Sequence, residues 1–360
     1  MPPGNHVAYK RVKGRKTPAE EVRDLYEGLK DARLDHFDVL LSGYAPSAAV
    51  VTQIGQIARE LKLRATLKPG AFFWVLDPVM GDNGHIYVAE DTVPVYRSLL
   101  KDADLILPNQ FEAELLSEVK IHDLATMKLA IAKLHHTYRV PHVLITSIRL
   151  PPTASNTPTQ ADEDLASTAK LSVVGSTATS DMAPRLFRIT VPALPVFFSG
   201  TGDMFASLMV ARFRQAARDA GVLDKVHWRS PDHVPGADLP LARAAEKVLA
   251  SMHAVLIKTA EHYDAESRKL QEGRGRELNT SVGDEAGEDK DMQSHLRLTR
   301  AAEVRVVRNA RDLRVPPRLD DFQAQSLDTE PGPTAEDLAP GPDALGVVKV
   351  AGGEGAVHQT

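Results

Sequence analysis

The chain has no cysteine. Disulfides, thiolate metal sites and a cysteine nucleophile are therefore excluded, as fits the cytosol. No apolar run approaches the roughly 18 residues needed to cross a bilayer, so no membrane span is expected. Positive charge is not in surplus either. Lys and Arg number 43 against 48 Asp and Glu, and the net charge of −5 leaves no basic stripe for counterion-release binding to nucleic acid. Repeats at solenoid or propeller periods are missing. So is the Walker A sequence, and any nucleotide site must be of another kind than a P-loop. The opening Met1 to Thr17 carries Lys10, Arg11, Lys13, Arg15 and Lys16 with no apolar core after them. That argues against a secretory signal and leaves a solvated loop, a basic arm or a transit peptide.

What is present is a core-forming sequence. At 360 residues and 43% hydrophobic, the chain can bury one large domain with tails or two smaller ones. Four compact β-type runs, Phe37 to Leu41, Phe72 to Leu76, Asp104 to Leu107 and His142 to Ile145, are each followed by a helical period. Their spacing suits strand, crossover helix and return, hence a mostly parallel sheet. Thr17-Pro18-Ala19-Glu20 reads as a capping box before an inward face of Val22, Leu25, Tyr26 and Leu29. Asp123 reads as the cap of a helix turning Met127, Ile131 and Leu134 inward. Leu171 to Gly175 and Leu186 to Val191 resume strand patterns, and long helices follow from Asp203 and Leu239.

The rest is poorer in apolar groups. Residues 151–169 read as a flexible insertion in a domain spanning 1–265, and 266–295 as a disordered charged linker. Residues 296–315 are expected to dock as a final strand and helix, and 316–360 to form an unstructured tail.

In open parallel sheets the ligand crevice lies outside the carboxyl ends of the strands. Those ends carry Gly43-Tyr44, Asp77, Asn109 and Thr146-Ser147. Singly, each is also an ordinary turn or cap residue. Asp77-Pro78-Val79-Met80-Gly81-Asp82 offers two carboxylates, hard oxygen ligands suited to a Mg²⁺ that keeps waters and phosphates, or else turn caps. Glu112 suits a helix first turn and also points an anion at the same region. Phe198-Ser199-Gly200-Thr201-Gly202-Asp203 brackets a hydroxyl with glycines and places a carboxylate at the mouth of an apolar helix. Backbone amides there can meet a phosphate, and Asp203 can take a proton from an attacking alcohol. The same residues also make a plain turn with Asp203 as N-cap.

Together, Leu41-Ser42-Gly43-Tyr44, Asp77 to Asp82, Asp104 to Leu116, Ile145-Thr146-Ser147 and Gly200-Thr201-Gly202-Asp203 resemble the ordered signature of the pyridoxal kinase family, in the ribokinase-like superfamily. The resemblance runs from about Asn5 to about Tyr263. It implies a three-layer α/β/α sandwich and ATP-dependent phosphorylation of vitamin B6. By the same resemblance Asp203 is the base, and Gly200, Thr201 and Gly202 hold the transferring phosphate. Asn109, Thr146, Ser147, Val196, Phe197, Phe198, Thr201 and Gly202 face ATP. His6 and Tyr44 lie near the pyridine ring. Asp82 and Glu112 organise Mg²⁺, and Asp77 with Thr146 serves a monovalent cation, K⁺ or Na⁺. A homodimer in the cytoplasm, also in the nucleus, is implied.

The family normally opens with a strand carrying a substrate-binding Ser, placed before the segment that Asn5 to Tyr9 resembles. The expectation here is a sheet without that N-terminal strand, exposing apolar surface and unpaired backbone. A gene model lacking an upstream exon is the favoured cause, ahead of a degenerate paralogue. Val7 and Ala8 also stand where relatives carry Thr and Gly. The alternatives are a hydroxymethylpyrimidine kinase of the same superfamily, or an impaired remnant that binds nucleotide only.

Overall fold

A computed structural model of the chain describes residues 9, 14–148, 170–194, 196, 198–277 and 285–327, with backbone alone for 273–277 and 285–290. The strands are β1 (Val39–Ser42), β2 (Phe73–Leu76), β3 (Gly81–Asp82), β4 (His85–Ile86), β5 (Leu105–Ile106), β6 (His142–Ile148), β7 (Lys170–Ala178), β8 (Pro184–Pro192) and β9 (Gln325–Ser326). The helices are α1 (Ala19–Asp31), α2 (Ala48–Arg64), α3 (Thr92–Leu99), α4 (Gln110–Ser117), α5 (Leu124–Tyr138), α6 (Thr201–Asp219), α7 (Pro240–Glu277), α8 (Glu285–Ala301) and α9 (Ala310–Arg314).

Seven strands form one sheet in the order β1-β2-β5-β6-β7-β8-β9. The first four run parallel, with Val39 opposite Phe73, Val75 opposite Leu105 and Leu105 opposite His142. The last three add antiparallel ladders, so the α/β sheet is mixed at one side. The strand pleat then sorts side chains between two cores. Trp74, Leu76, Ile106, Val143 and Ile145 face a layer containing Val50, Tyr96, Leu116 and Met127. Phe73, Val75, Leu105 and Leu144 face the layer of Met209, Phe213, Leu241 and Val248. Because both faces are covered, β2 reads as a continuous apolar run rather than an alternating one. On the second face Phe73 stacks on Trp228 at 4.0 Å, and Phe213 meets Phe73 edge-on at 5.5 Å. Burying each such side chain contributes about 1.5–3 kcal/mol.

Several expectations need correction. Helix α1 starts at Ala19 with Pro18 as its N-cap, one residue later than the capping-box reading, and no side chain bonds the cap. Of its expected inward face only Tyr26 is buried, while Leu25 stays 65% exposed. The reason is packing: α1 lies against α2, and β1, among the described residues, pairs with β2 alone. Leu34, Phe37 and Leu41 are exposed as well.

Residues 266–295 are not a disordered linker where they are described, since α7 continues to Glu277 and α8 begins at Glu285. Apolar content misled because charge pairing holds these turns. Glu266 accepts from Lys269 one turn on and from Arg297 of the facing helix, each at 2.7 Å. Residues 296–315 supply the end of α8, a single bridge from Glu303 to Ser199, and the short α9, rather than a strand and a helix. The start of the expected tail is also folded. Phe322 is buried against the second core, and β9 pairs with β8 through Gln325 and Ser326. The insertion at 151–169 and residues 328–360 lie outside the described residues.

Candidate active site

Every expected strand-end residue that is described sits at the carboxyl edge of the sheet. Asp77 follows β2, its backbone N–H bonded to Ser42 O at 2.8 Å, next to Gly43. A Cβ on Gly43 would stand 4.0 Å from the Asp77 carboxylate. After β2 the chain makes the β3-β4 hairpin, in which Gly81 lies so close to His85 O, 2.1 Å from an added Cβ, that only glycine fits.

Helix α4 ties this hairpin to β5. Asn109 caps the helix by accepting from Glu112 N at 2.9 Å, while Glu112 returns the bond to Asn109 N at 2.9 Å, a full capping box. The two side chains also reach across the crevice. Glu112 accepts from Met80 N at 2.9 Å, and Asn109 Nδ2 donates to Gly81 O at 2.7 Å. Thus one Asn-x-x-Glu pair fixes a helix start and the neighbouring loop together. Asn109 bridges onward to Thr146. At Thr146-Ser147 the register of β6 against β7 shifts, and Ser147 takes φ +58°, so the strand opens here instead of continuing its ladder.

The glycine loop approaches from the other layer. Gly200 is the N-cap of α6 with φ +85°, a left-handed conformation suited to glycine, and Asp203 is exposed in the first turn. The N-cap role therefore belongs to Gly200, not to Asp203. Ser199 N donates to Ala302 O at 3.4 Å, pinning the loop to the chain after α8.

The electrostatics show that these elements converge. Burial first, then the charges of Glu112 and Asp203, push the Asp77 carboxyl up to about 8. Asp203 therefore lies within electrostatic reach of the strand-end acids. Burial also raises Glu112 to about 7 against three backbone N–H bonds that favour its charge, with Asp82 adding to the rise. Among the described residues no hydrogen bond is donated to the Asp77 side chain. Two acids with raised pKa values, Glu112 buried and Asp77 half-buried, with no cationic neighbour among the described residues, fit a bound cation, which would restore their charge. They do not form a complete metal cage, because no cluster of three or more His, Cys, Asp or Glu ligands occurs among the described residues. A Mg²⁺ shared with phosphate oxygens and waters needs no such cage.

His6 and Phe197 lie outside the described residues; Val196 and Phe198 are half-buried just ahead of Gly200. Sequence reading missed Tyr96 and Tyr87. Tyr96 is buried, donates to Gly43 O at 3.5 Å, and has its pKa raised by burial and then by Asp77 and Glu112. Tyr87 is raised by burial and then by Asp82 and Glu112. Tyr96 gave no separate signal, because it shares the core stripe of Val93 and Leu99.

A mixed but largely parallel sheet, acids at its carboxyl edge and a Gly-x-Gly-Asp helix start together define a ribokinase-like phosphotransferase class. The comparisons agree. Residues 40–179 match the family model described as phosphomethylpyrimidine kinase. A protein of Schizosaccharomyces pombe provisionally named a pyridoxal kinase is 35% identical over 261 residues, 72% of this chain and 74% of its own. The pyridoxal kinase of Sus scrofa is 33% identical over 266 residues, covering 71% and 70%. The structure of pyridoxal kinase from Leishmania donovani in complex with ADP and pyridoxamine superposes with a TM-score of 0.62 at 24% identity, over 90% of this chain and 85% of that one. The chain belongs to the pyridoxal kinase family.

Proposed function

We propose that this protein transfers the γ-phosphoryl group of ATP to the 5′-hydroxymethyl group of pyridoxal, pyridoxine and pyridoxamine. Family membership supports the reading, and one observation favours it: the charge of Asp203 contributes to the raised pKa of Asp77, as expected if Asp203 stands near the strand-end acids. Asp203 accepts the hydroxymethyl proton as that oxygen attacks the γ-phosphorus. The bond from phosphorus to the bridging oxygen breaks, and ADP leaves. Amides of Gly200, Thr201, Gly202 and Asp203, at the helix start, face the charge on the transferring group. By analogy with oxyanion holes, each such donor is worth about 2.7–4 kcal/mol.

Asn109, Thr146, Ser147 and the 196–198 stretch are assigned to the nucleotide, and Tyr44 with His6 to the pyridine ring. Asp82 and Glu112 would hold Mg²⁺, and Asp77 with Thr146 a monovalent cation. Bound there, these ions neutralise phosphate charge. Both oxygens of Glu112 already accept backbone N–H groups, so its part is through water or its remaining lone pairs. A cytosolic homodimer in vitamin B6 salvage belongs to the same reading. No helix among the described residues is long and apolar enough to cross a membrane.

The test is turnover of pyridoxal with ATP and Mg²⁺, run beside hydroxymethylpyrimidine. Phosphorylated pyridoxal is expected, with kcat/KM falling about 10²–10⁴-fold in Asp203→Asn. Preference for the pyrimidine alcohol, towards which the description of the family model leans, would replace the substrate. Tight nucleotide binding without product would leave only the remnant.

A further inference from the structure

Beside the glycine loop lies an open recess of about 580 Å³ lined by His262, Arg297, Arg300, Glu303, Arg305 and Arg308, with Ala301, Val304, Val306 and Val307 as its apolar lining. Four guanidinium groups thus share one recess in a chain of net charge −5. The acids present are already engaged. Glu266 at the rim accepts from both Lys269 and Arg297, which hold its carboxyl down to about 2. Glu303 accepts from the Tyr9 hydroxyl. Arg300, Arg305 and Arg308 have no ion pair among the described residues. Arg305 and Arg308 both reach His262: burial, then Arg305, Arg308 and Lys269 lower its pKa against the opposing pull of Glu266.

Unpaired guanidinium groups around a recess repel one another, and phosphate, like carboxylate, is an anion whose oxygens match their planar forks. The apolar lining adds a second requirement. Val307 is 89% exposed and Val306 36% exposed, an apolar ledge beside the cations that a bare ion leaves uncovered. We propose that this cavity binds a small phosphate ester, its phosphate on Arg300, Arg305 and Arg308 and its organic body over Val304, Val306 and Val307. The site borders the catalytic loop. Val304 N donates to Ser199 O at 3.4 Å, and Val304 Cγ2 stands 3.3 Å from where a Gly200 Cβ would be. Occupancy therefore bears on the segment assigned to the transferring phosphate, although binding itself does not rest on the kinase reading.

Calorimetric titration of the full chain with phenyl phosphate tests it, with inorganic phosphate as the second arm. Phenyl phosphate is expected to bind the wild type and to weaken about 10-fold or more in Arg305→Gln/Arg308→Gln. Arg300→Gln is expected to weaken it as well, with unchanged melting temperatures in both variants. Saturating the protein first with a non-hydrolysable ATP analogue is expected to leave the binding in place. Full displacement by that analogue would return the cavity to the nucleotide site, and unchanged affinity in both variants would remove the arginines from it. Equal affinity for inorganic phosphate would overturn the ester assignment. All three readouts stand without turnover, so loss of kinase activity does not decide them.

Discussion

At the amino end of β5, Asp104 is buried yet fully served. It accepts from Trp74 N at 2.7 Å, Lys62 Nζ at 3.0 Å and His227 Nδ1 at 2.5 Å. Burial alone would raise its pKa, but the His227 hydrogen bond, the Lys62 and His227 charges and the Trp74 N–H hold it below the ordinary carboxylate value. At the carboxyl end of β2, Asp77 has the same side chain and no such donors among the described residues, and burial, then the charges of Glu112 and Asp203, raise its pKa to about 8. One sheet therefore carries a closed polar network at one end and an unsatisfied one at the other. The difference separates structural acids from acids awaiting a ligand, which identity or burial alone does not do.

The sharpest way to break this contrast is to neutralise each acid in turn. Asp104→Asn leaves Lys62 and His227 without their anion and is expected to cost about 3 kcal/mol in denaturant unfolding. Turnover per folded molecule should be retained. Loss of turnover without loss of stability would erase the distinction.

The pH response should differ in sign between the ends. His142 donates from Nε2 to His227 O and accepts at Nδ1 from Thr177, and burial lowers its pKa to about 3. His135, between Val140 O and Ser176, falls to about 4 by burial. Both are folded as neutral rings. Their contribution is complete above about pH 6.5 and is lost as pH falls towards 4 and 3, by up to roughly 1.4 kcal/mol per unit per group. Asp77 acts in reverse. Its folded pKa is raised, so ligand-free stability falls as pH climbs from about 4 to about 8. Asp77→Asn should therefore gain about 1–2 kcal/mol at pH 8 without ligand, lose activity, and show a smaller Mg²⁺-induced rise in melting temperature than wild type. Equal Mg²⁺ shifts in the two proteins would separate Asp77 from the cation.

The mildest expected effect falls on the connection between strand ends. Asn109→Ala removes a helix cap and the tie to Gly81, for a loss of about 1 kcal/mol and a raised KM for ATP. An unchanged KM would leave Asn109 as a cap alone.

Much of this was legible in the chain. The apolar runs marked β2 and β6, and Asp123 behaved as the cap read from its sequence, accepting from Thr126 N at 2.8 Å. Errors came where a local rule lacked its partner. Leu25 and Leu29 follow a helical stripe, but α1 packs on α2 with both positions left exposed. Residues 266–277 hold one large apolar side chain, Leu270, yet pairing with Arg297 across to α8 keeps them helical. Phe322 looked like tail because its burial depends on a surface built by helices some 70 residues earlier in the chain.

Periodicity and the order of short motifs, both properties of neighbouring residues, determined the α/β class, the strand ends and the Gly-x-Gly-Asp helix start. Only tertiary structure decided which acids were satisfied and which were left charged against one another. It also gathered Arg297 to Arg308 around His262. Hydrogen bonding and desolvation act over a few ångströms of space, and no spacing along the chain records which distant groups the fold will bring within that range.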